Sequence, residues 1–126
     1  MKKLASAVAI SLFAASPAWA GSLVWQVTEE SDIGVKGAQG SWKLSQDGDK
    51  ITGVADLMHD DGSPLTYKVE GTVAGTNYTI KLVDRSDGKK ECVWTGHPPT
   101  GAGTQTQGLV GWAPCSGGKL IIRAAF

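Results

Sequence analysis

The chain lacks most of the features that announce chemistry. No Gly-x-Ser-x-Gly elbow occurs, so the strained turn that exposes an acyl-transfer serine is missing. Charge of one sign is also missing: 12 Lys and Arg face 12 Asp and Glu. That balance leaves no basic patch of the kind that binds nucleic acid. Asp47, Asp49, Asp60 and Asp61 lack the twelve-residue calcium-loop pattern, and Asp47-Gly48-Asp49 reads as a hairpin turn. Gly101-x-Gly103 precedes no helical pattern whose amino end could hold a phosphate. Only Leu4 to Ala15 forms a long apolar run, and it falls short of the roughly 20 residues a bilayer-spanning helix needs.

That run has a different use. Met1-Lys2-Lys3 precedes it, and Ser16-Pro17-Ala18-Trp19-Ala20-Gly21 follows. A short positive region, an apolar region and a small-x-small site in this order read as a cleavable export signal ending at Ala20. The alternative is a short buried helix. No cysteine follows the cleavage site, so no bacterial lipid anchor is expected. The mature chain, residues 21–126, is then a single soluble domain in the periplasm or medium of a bacterium. Losing Lys2 and Lys3 gives it a formal charge of −2.

Cysteine is scarce, with Cys92 and Cys115 alone. In an oxidising compartment an isolated pair reads as a disulfide. The ring would hold 24 residues, for which chain entropy gives about 3 kcal/mol. A two-thiol metal site is the rival, but neither His59 nor His97 has finger spacing to these cysteines.

Helical signals are absent after residue 20. Short apolar runs recur at about ten-residue spacing with turn residues between them, as in a sandwich or barrel. Leu23, Trp25 and Val27 share one face, as do Trp42 and Leu44 after a Gly-rich link, Gly34 to Gly40. Ile51, Gly53, Ala55 and Leu57 follow; then Leu65, Tyr67, Val69, Gly71 and Val73; then Tyr78, Ile80 and Leu82. Thr66, Lys68, Glu70 and Thr72 occupy the opposite face, so one side is buried and the other wet. Glu91–Thr95, Gln105–Trp112 and Lys119–Phe126 complete the set. Asp47-Gly48 and Asp87-Gly88 are turn dipeptides, because this pair tolerates positive φ. Sequential hairpins without a long crossover predict an all-β, antiparallel up-and-down meander of about eight strands. It closes into a small barrel, with a flattened sandwich as the alternative. Gly53, Gly71 and Gly111 lie within strands, where glycine allows a bend. Glu29-Glu30, Asp60-Asp61 and Lys89-Lys90 read as solvated turns or edges.

Candidate site residues are mainly aromatic. Trp42, Tyr67, Tyr78, Trp94 and Trp112 are either core or the wall of a ligand site at one mouth; small barrels do either. His59, Asp60 and Asp61 form one candidate loop rim, and His97 opens another that runs to Thr104. No catalytic set, metal site or cofactor is implied.

The strand text also carries a resemblance. Gly40-Ser41-Trp42, Ile51-Thr52-Gly53, Tyr67-Lys68-Val69-Glu70-Gly71 and Trp94-Thr95-Gly96 appear in an order that resembles the avidin family and the wider calycin group. The resemblance spans Gly40 to Gly96 and implies an eight-stranded barrel that binds biotin at one mouth, usually as an oligomer. Trp94 stands where that family has a ligand-packing Trp. Lys43, Leu44, Ala55 and Leu57 replace polar ligand partners, and Cys92 replaces a hydroxyl. The resemblance therefore carries the barrel rather than biotin. Exported small barrels with one disulfide are also similar to bacterial inhibitors of lysozymes or proteases. The expectation is a non-enzymatic exported binding protein for a small ligand. The alternatives are a protein target engaged by the loop rims, a hydrolase using His59 or His97, or a structural envelope protein.

Overall fold

The structure, a computed structural model, describes residues 22–99 and 108–126. The candidate export segment, Gln105 to Gln107 and most of the loop from His97 to Thr104 lie outside the described residues. The strands are β1 (Ser22–Ser31), β2 (Lys36–Asp47), β3 (Lys50–His59), β4 (Pro64–Ala74), β5 (Asn77–Val83), β6 (Cys92–His97), β7 (Gly108–Cys115) and β8 (Gly118–Ala125). Each pairs antiparallel with the next, and β8 pairs with β1 from Gln26↔Ala125 to Ser31↔Leu120. The sheet is thus a closed eight-stranded barrel, not a sandwich. Closure removes free edges that would template aggregation.

Alternation explains the interior. The apolar phases read from the sequence point inward: Trp25, Val27, Trp42, Leu44, Ile51, Leu57, Leu65, Val69, Ile80, Trp94 and Ile122 are all buried. The opposite phase, including Lys43, Lys68, Glu70 and Lys81, faces out. No helix among the described residues is long and apolar enough to cross a membrane. Trp42 and Trp94 fill the waist, their rings edge to face at 5.3 Å. The barrel is therefore packed at its middle rather than hollow. The Trp94 indole N–H donates to the Ile122 carbonyl at 3.1 Å, which satisfies a polar atom that burial would otherwise penalise.

Glycine makes the curvature. A Cβ at Gly111 would collide with the Thr95 carbonyl oxygen of the paired strand. At Gly96 it would run into the Trp94 ring, which folds back over that glycine. The bends expected at Gly53, Gly71 and Gly111 are therefore places where two backbones approach closely. The expected turns also form, with Gly48 at φ 63° and Gly88 at φ 83°.

Two boundaries differ from expectation. The segment from Gly34 to Gly40 is mostly strand, since β2 starts at Lys36 and pairs with both neighbours. Its glycines lower intrinsic strand preference, but ladder partners on both sides override it. The seventh strand runs on through Pro114 to Cys115, which pairs with Gly118.

Cys92 and Cys115 form a disulfide. It sits on the seam where the β6–β7 ladder covers only Thr95↔Trp112 to His97↔Val110. By contrast, β2–β3 is paired from Ala38↔His59 to Asp47↔Lys50. The covalent bond closes the stretch of seam that the ladder leaves open.

Candidate functional site

An up-and-down barrel has two mouths. The β1–β2, β3–β4, β5–β6 and β7–β8 connections form the first; the remaining connections form the second. His59 therefore lies at the first mouth and His97 at the second, so the two imidazoles share no cleft. That separation removes the geometry a hydrolase would need from the pair. Asp60 and Asp61 are exposed in the β3–β4 turn, where Ser63 hydrogen-bonds Asp61 and holds its carboxyl below the ordinary value.

The aromatic residues form a column along the axis. Phe126 and Tyr78 pack on Trp25 at 5.4 and 5.3 Å near the second mouth. Trp25 stacks on Trp42 at 6.1 Å, and Trp42 meets Tyr67 at 6.2 Å. Trp112 is not part of this column. It is 46 % exposed on the outer face, with the Lys119 ammonium 4.9 Å from its ring.

The column ends in a buried polar network below the first mouth. Trp42 Nε1–H donates to the Tyr67 hydroxyl at 2.9 Å. Tyr67 donates to Glu29 Oε2 at 2.5 Å. Arg85 grips Glu29 with two bonds, at 3.0 and 2.9 Å. The same guanidinium grips Asp87 with two more, at 3.0 and 2.7 Å, and lies 4.7 Å from the Tyr67 ring centre. Among the described residues no buried side-chain polar atom lacks a partner.

Glu29 and Arg85 were not expected inside, and the reading of Glu29 as a solvated edge is corrected here. Glu29 continues the inward phase of Leu23, Trp25 and Val27, so alternation contains a signal for it. Arg85 has none. Ile80 and Leu82 point inward, so alternation would place Asp84 inside. Asp84 instead takes a left-handed backbone, φ 56°, which shifts the phase and turns Arg85 in. Ser86 then ties the segment to β4: its N–H donates to the Thr66 carbonyl at 2.9 Å, and its hydroxyl accepts from the Thr66 N–H at 3.0 Å.

The network sets the protonation of its members. Burial alone would depress the Arg85 guanidinium, but its bonds to Asp87 and Glu29 reverse this and hold it charged. Burial, then the adjacent Glu29 charge, pushes the Tyr67 phenol well above its ordinary 10.0. A raised folded value means that this contribution to stability is complete below about pH 10. It is lost as pH rises toward the folded value. Absorbance at 295 nm is expected to show no Tyr67 phenolate in the folded protein at pH 10.5. Tyr67→Phe should leave the folded-state titration unchanged; loss of a phenolate signal below unfolding would place that hydroxyl in contact with water.

Above the network lies a depression of about 460 Å³. Ala38, Leu120, Ile33 and Val35 supply its apolar walls, Glu29 and Arg85 its floor, and Lys36, His59 and Lys89 its rim. Ile33 is 82 % exposed and Val35 59 % exposed, both in the β1–β2 connection. Val24, Val54, Met58, Trp112 and Phe126 are exposed elsewhere, but Ile33 and Val35 are the exposed pair that borders an apolar hollow, and it is this contiguity that is informative.

Fold and site together define a closed, up-and-down, eight-stranded β-barrel with a plugged waist and an open apolar mouth. Two solved structures are similar to it. A redesigned β-barrel, mFAP1, bound to DFHBI, is 23 % identical with a TM-score of 0.60, over 82 % of this chain and 92 % of that one. A de novo designed fluorescence-activating β-barrel is 16 % identical with a TM-score of 0.58, over 81 % and 89 % of the two chains. No protein-family model and no curated protein matches the chain. The shared feature is the barrel, which is also what the resemblance to avidins implies.

Proposed function

We propose that this is an exported, non-enzymatic binding protein that holds a small molecule at the first mouth of its barrel. The observation that carries the reading is the apolar hollow beside exposed Ile33 and Val35. A hollow of about 460 Å³ lies within the roughly 300–1,000 Å³ of small-molecule sites. The fold neighbour bound to DFHBI supports the reading, and the disulfide fits an oxidising compartment. The aromatic residues take different parts. Tyr67 braces the floor through Glu29, while Trp42 and Trp94 keep the waist closed, so the ligand sits on the plug rather than in the barrel centre.

N-phenyl-1-naphthylamine, neutral and apolar, is the first probe. Its fluorescence should rise on binding, and the protein's melting temperature should rise with it, as mass action requires. Ile33→Asp/Val35→Asp should cut the affinity at least tenfold. Both side chains are exposed, so the unliganded melting temperature should stay within about 2 °C, since such surface changes usually cost under 0.5 kcal/mol. Equal binding by this variant would overturn the site.

A further inference from the structure

Three carboxylates and three cations line the hollow at the first mouth, and they differ in how they are partnered. The carboxylates that line it are engaged: Glu29 and Asp87 share Arg85, and Glu30 accepts from Arg123 Nε at 2.9 Å. The rim ammoniums are not. Lys36 and Lys89 line the hollow, and among the described residues neither forms a salt bridge. Lys36 donates only to the neutral Gln39 side chain, at 3.3 Å. Asp32, Asp60, Asp61, Asp84 and Glu91 belong to connections at the same end but do not line the hollow. An incoming molecule therefore meets apolar walls, a floor whose charges are satisfied internally, and two free cations at the rim.

Resting on the ligand site proposed above, we infer that the ligand is an amphipathic organic anion, with an apolar body and one acidic group. The body fills the hollow against Ile33, Val35, Ala38 and Leu120. The acidic group stays at the rim, within reach of Lys36 and Lys89 and half in water. Burial deeper in the hollow would bring it against Glu29, a like charge, and cost it hydration. A cationic ligand would meet two like charges at entry. Flexible, solvated lysines act as point charges here, so the preference they produce is modest and sensitive to salt.

Two probes that share a ring skeleton test this. 8-Anilinonaphthalene-1-sulfonate carries a sulfonate; N-phenyl-1-naphthylamine does not. At 20 mM salt the sulfonate is expected to bind about fivefold to tenfold more tightly, roughly what two exposed charge pairs supply. The preference should fall below about twofold at 0.5 M salt. Lys36→Gln/Lys89→Gln should remove it at low salt, read as the ratio of the two probes' affinities, and both exchanges are at exposed positions. Equal affinity for the two probes, or a preference that survives the double exchange, would overturn the anion inference and leave the hollow as a ligand site. Binding of neither probe would overturn both readings.

Discussion

Arg85→Met is expected to destabilise the protein by about 3–5 kcal/mol, the usual cost of removing one partner from a buried ion pair. The guanidinium side chain is 1 % exposed and the Glu29 side chain 4 %. Removing the cation leaves the Glu29 carboxylate in a low-dielectric site with only the Tyr67 hydroxyl as a donor. In a domain of this size the melting temperature should fall by roughly 15–25 °C. Urea unfolding followed by far-UV circular dichroism measures the loss, with the m-value as a check that the unfolded state is unchanged. Glu29→Gln keeps the shape and leaves Arg85 its second carboxylate, Asp87, so its cost should be smaller, about 1.5–3 kcal/mol.

The two exchanges should not add, because they act on one network. Arg85→Met/Glu29→Leu removes both charges and should recover part of the single-variant loss. It cannot recover all of it, since the Tyr67 hydroxyl then lacks an acceptor. Extending the series to Tyr67→Phe moves the unmet bond to the Trp42 indole N–H. The network is a chain whose last link always loses a partner. A loss below 1 kcal/mol for Arg85→Met would mean that water reaches the pair and screens it. Asp87 adds a pH term. Burial would raise its carboxyl, but the bonds from Arg85 and the Lys89 N–H lower it overall. With a depressed folded value, its contribution is complete above about pH 4 and is lost as pH falls through that lower value. Asp87→Asn should flatten the pH dependence of stability below about pH 4.

Cys92→Ala/Cys115→Ala is expected to cost about 3 kcal/mol, or roughly 12–20 °C in melting temperature. The seam it closes has the short β6–β7 ladder, so the loss should also be local. Amide exchange should accelerate first in Cys92–His97 and Val110–Cys115. Further support for the open part of the seam is thin: the Ser116 N–H donates to the Lys90 carbonyl at 2.8 Å, and Ser116 Oγ lies 3.4 Å from Glu91 Oε1. The segment that carries Arg85 and Lys89 joins β6 directly at Cys92, so loosening the seam should also weaken probe binding at the first mouth. A drop of less than about 3 °C with unchanged exchange would show that the barrel closes without the bond.

The barrel was legible because its determinants are local. Strict alternation along Leu65–Val73 assigns an inner and an outer face whatever the tertiary context. Asp-Gly turns force hairpins, and links of a few residues permit only antiparallel neighbours. The cysteine pair was legible because a chain with two thiols has one intramolecular pairing available.

The site was not legible, because its determinants are distant. Glu29 and Arg85 lie 56 positions apart, and among the described residues the Glu29 carboxylate has no other cation inside the barrel. A carboxylate on an inward phase reads as an edge until the structure supplies its cation. Trp112 was ambiguous for a related reason: Val110 and Leu109 place apolar residues on both faces of its strand, so the phase was set by Gly111 and Ala113 fitting against the curved wall. Period-two patterning and turn chemistry act over a few residues, so a closed antiparallel barrel with an aromatic interior is written in the chain itself. Which charges enter that interior, and which mouth stays open, depends on contacts between strands far apart in the chain. One left-handed residue at Asp84 shifts the phase locally and turns Arg85 inward, a second at Glu91 precedes the return of the original phase at Cys92, and ring closure sets β1 across the barrel from the segment that carries Arg85.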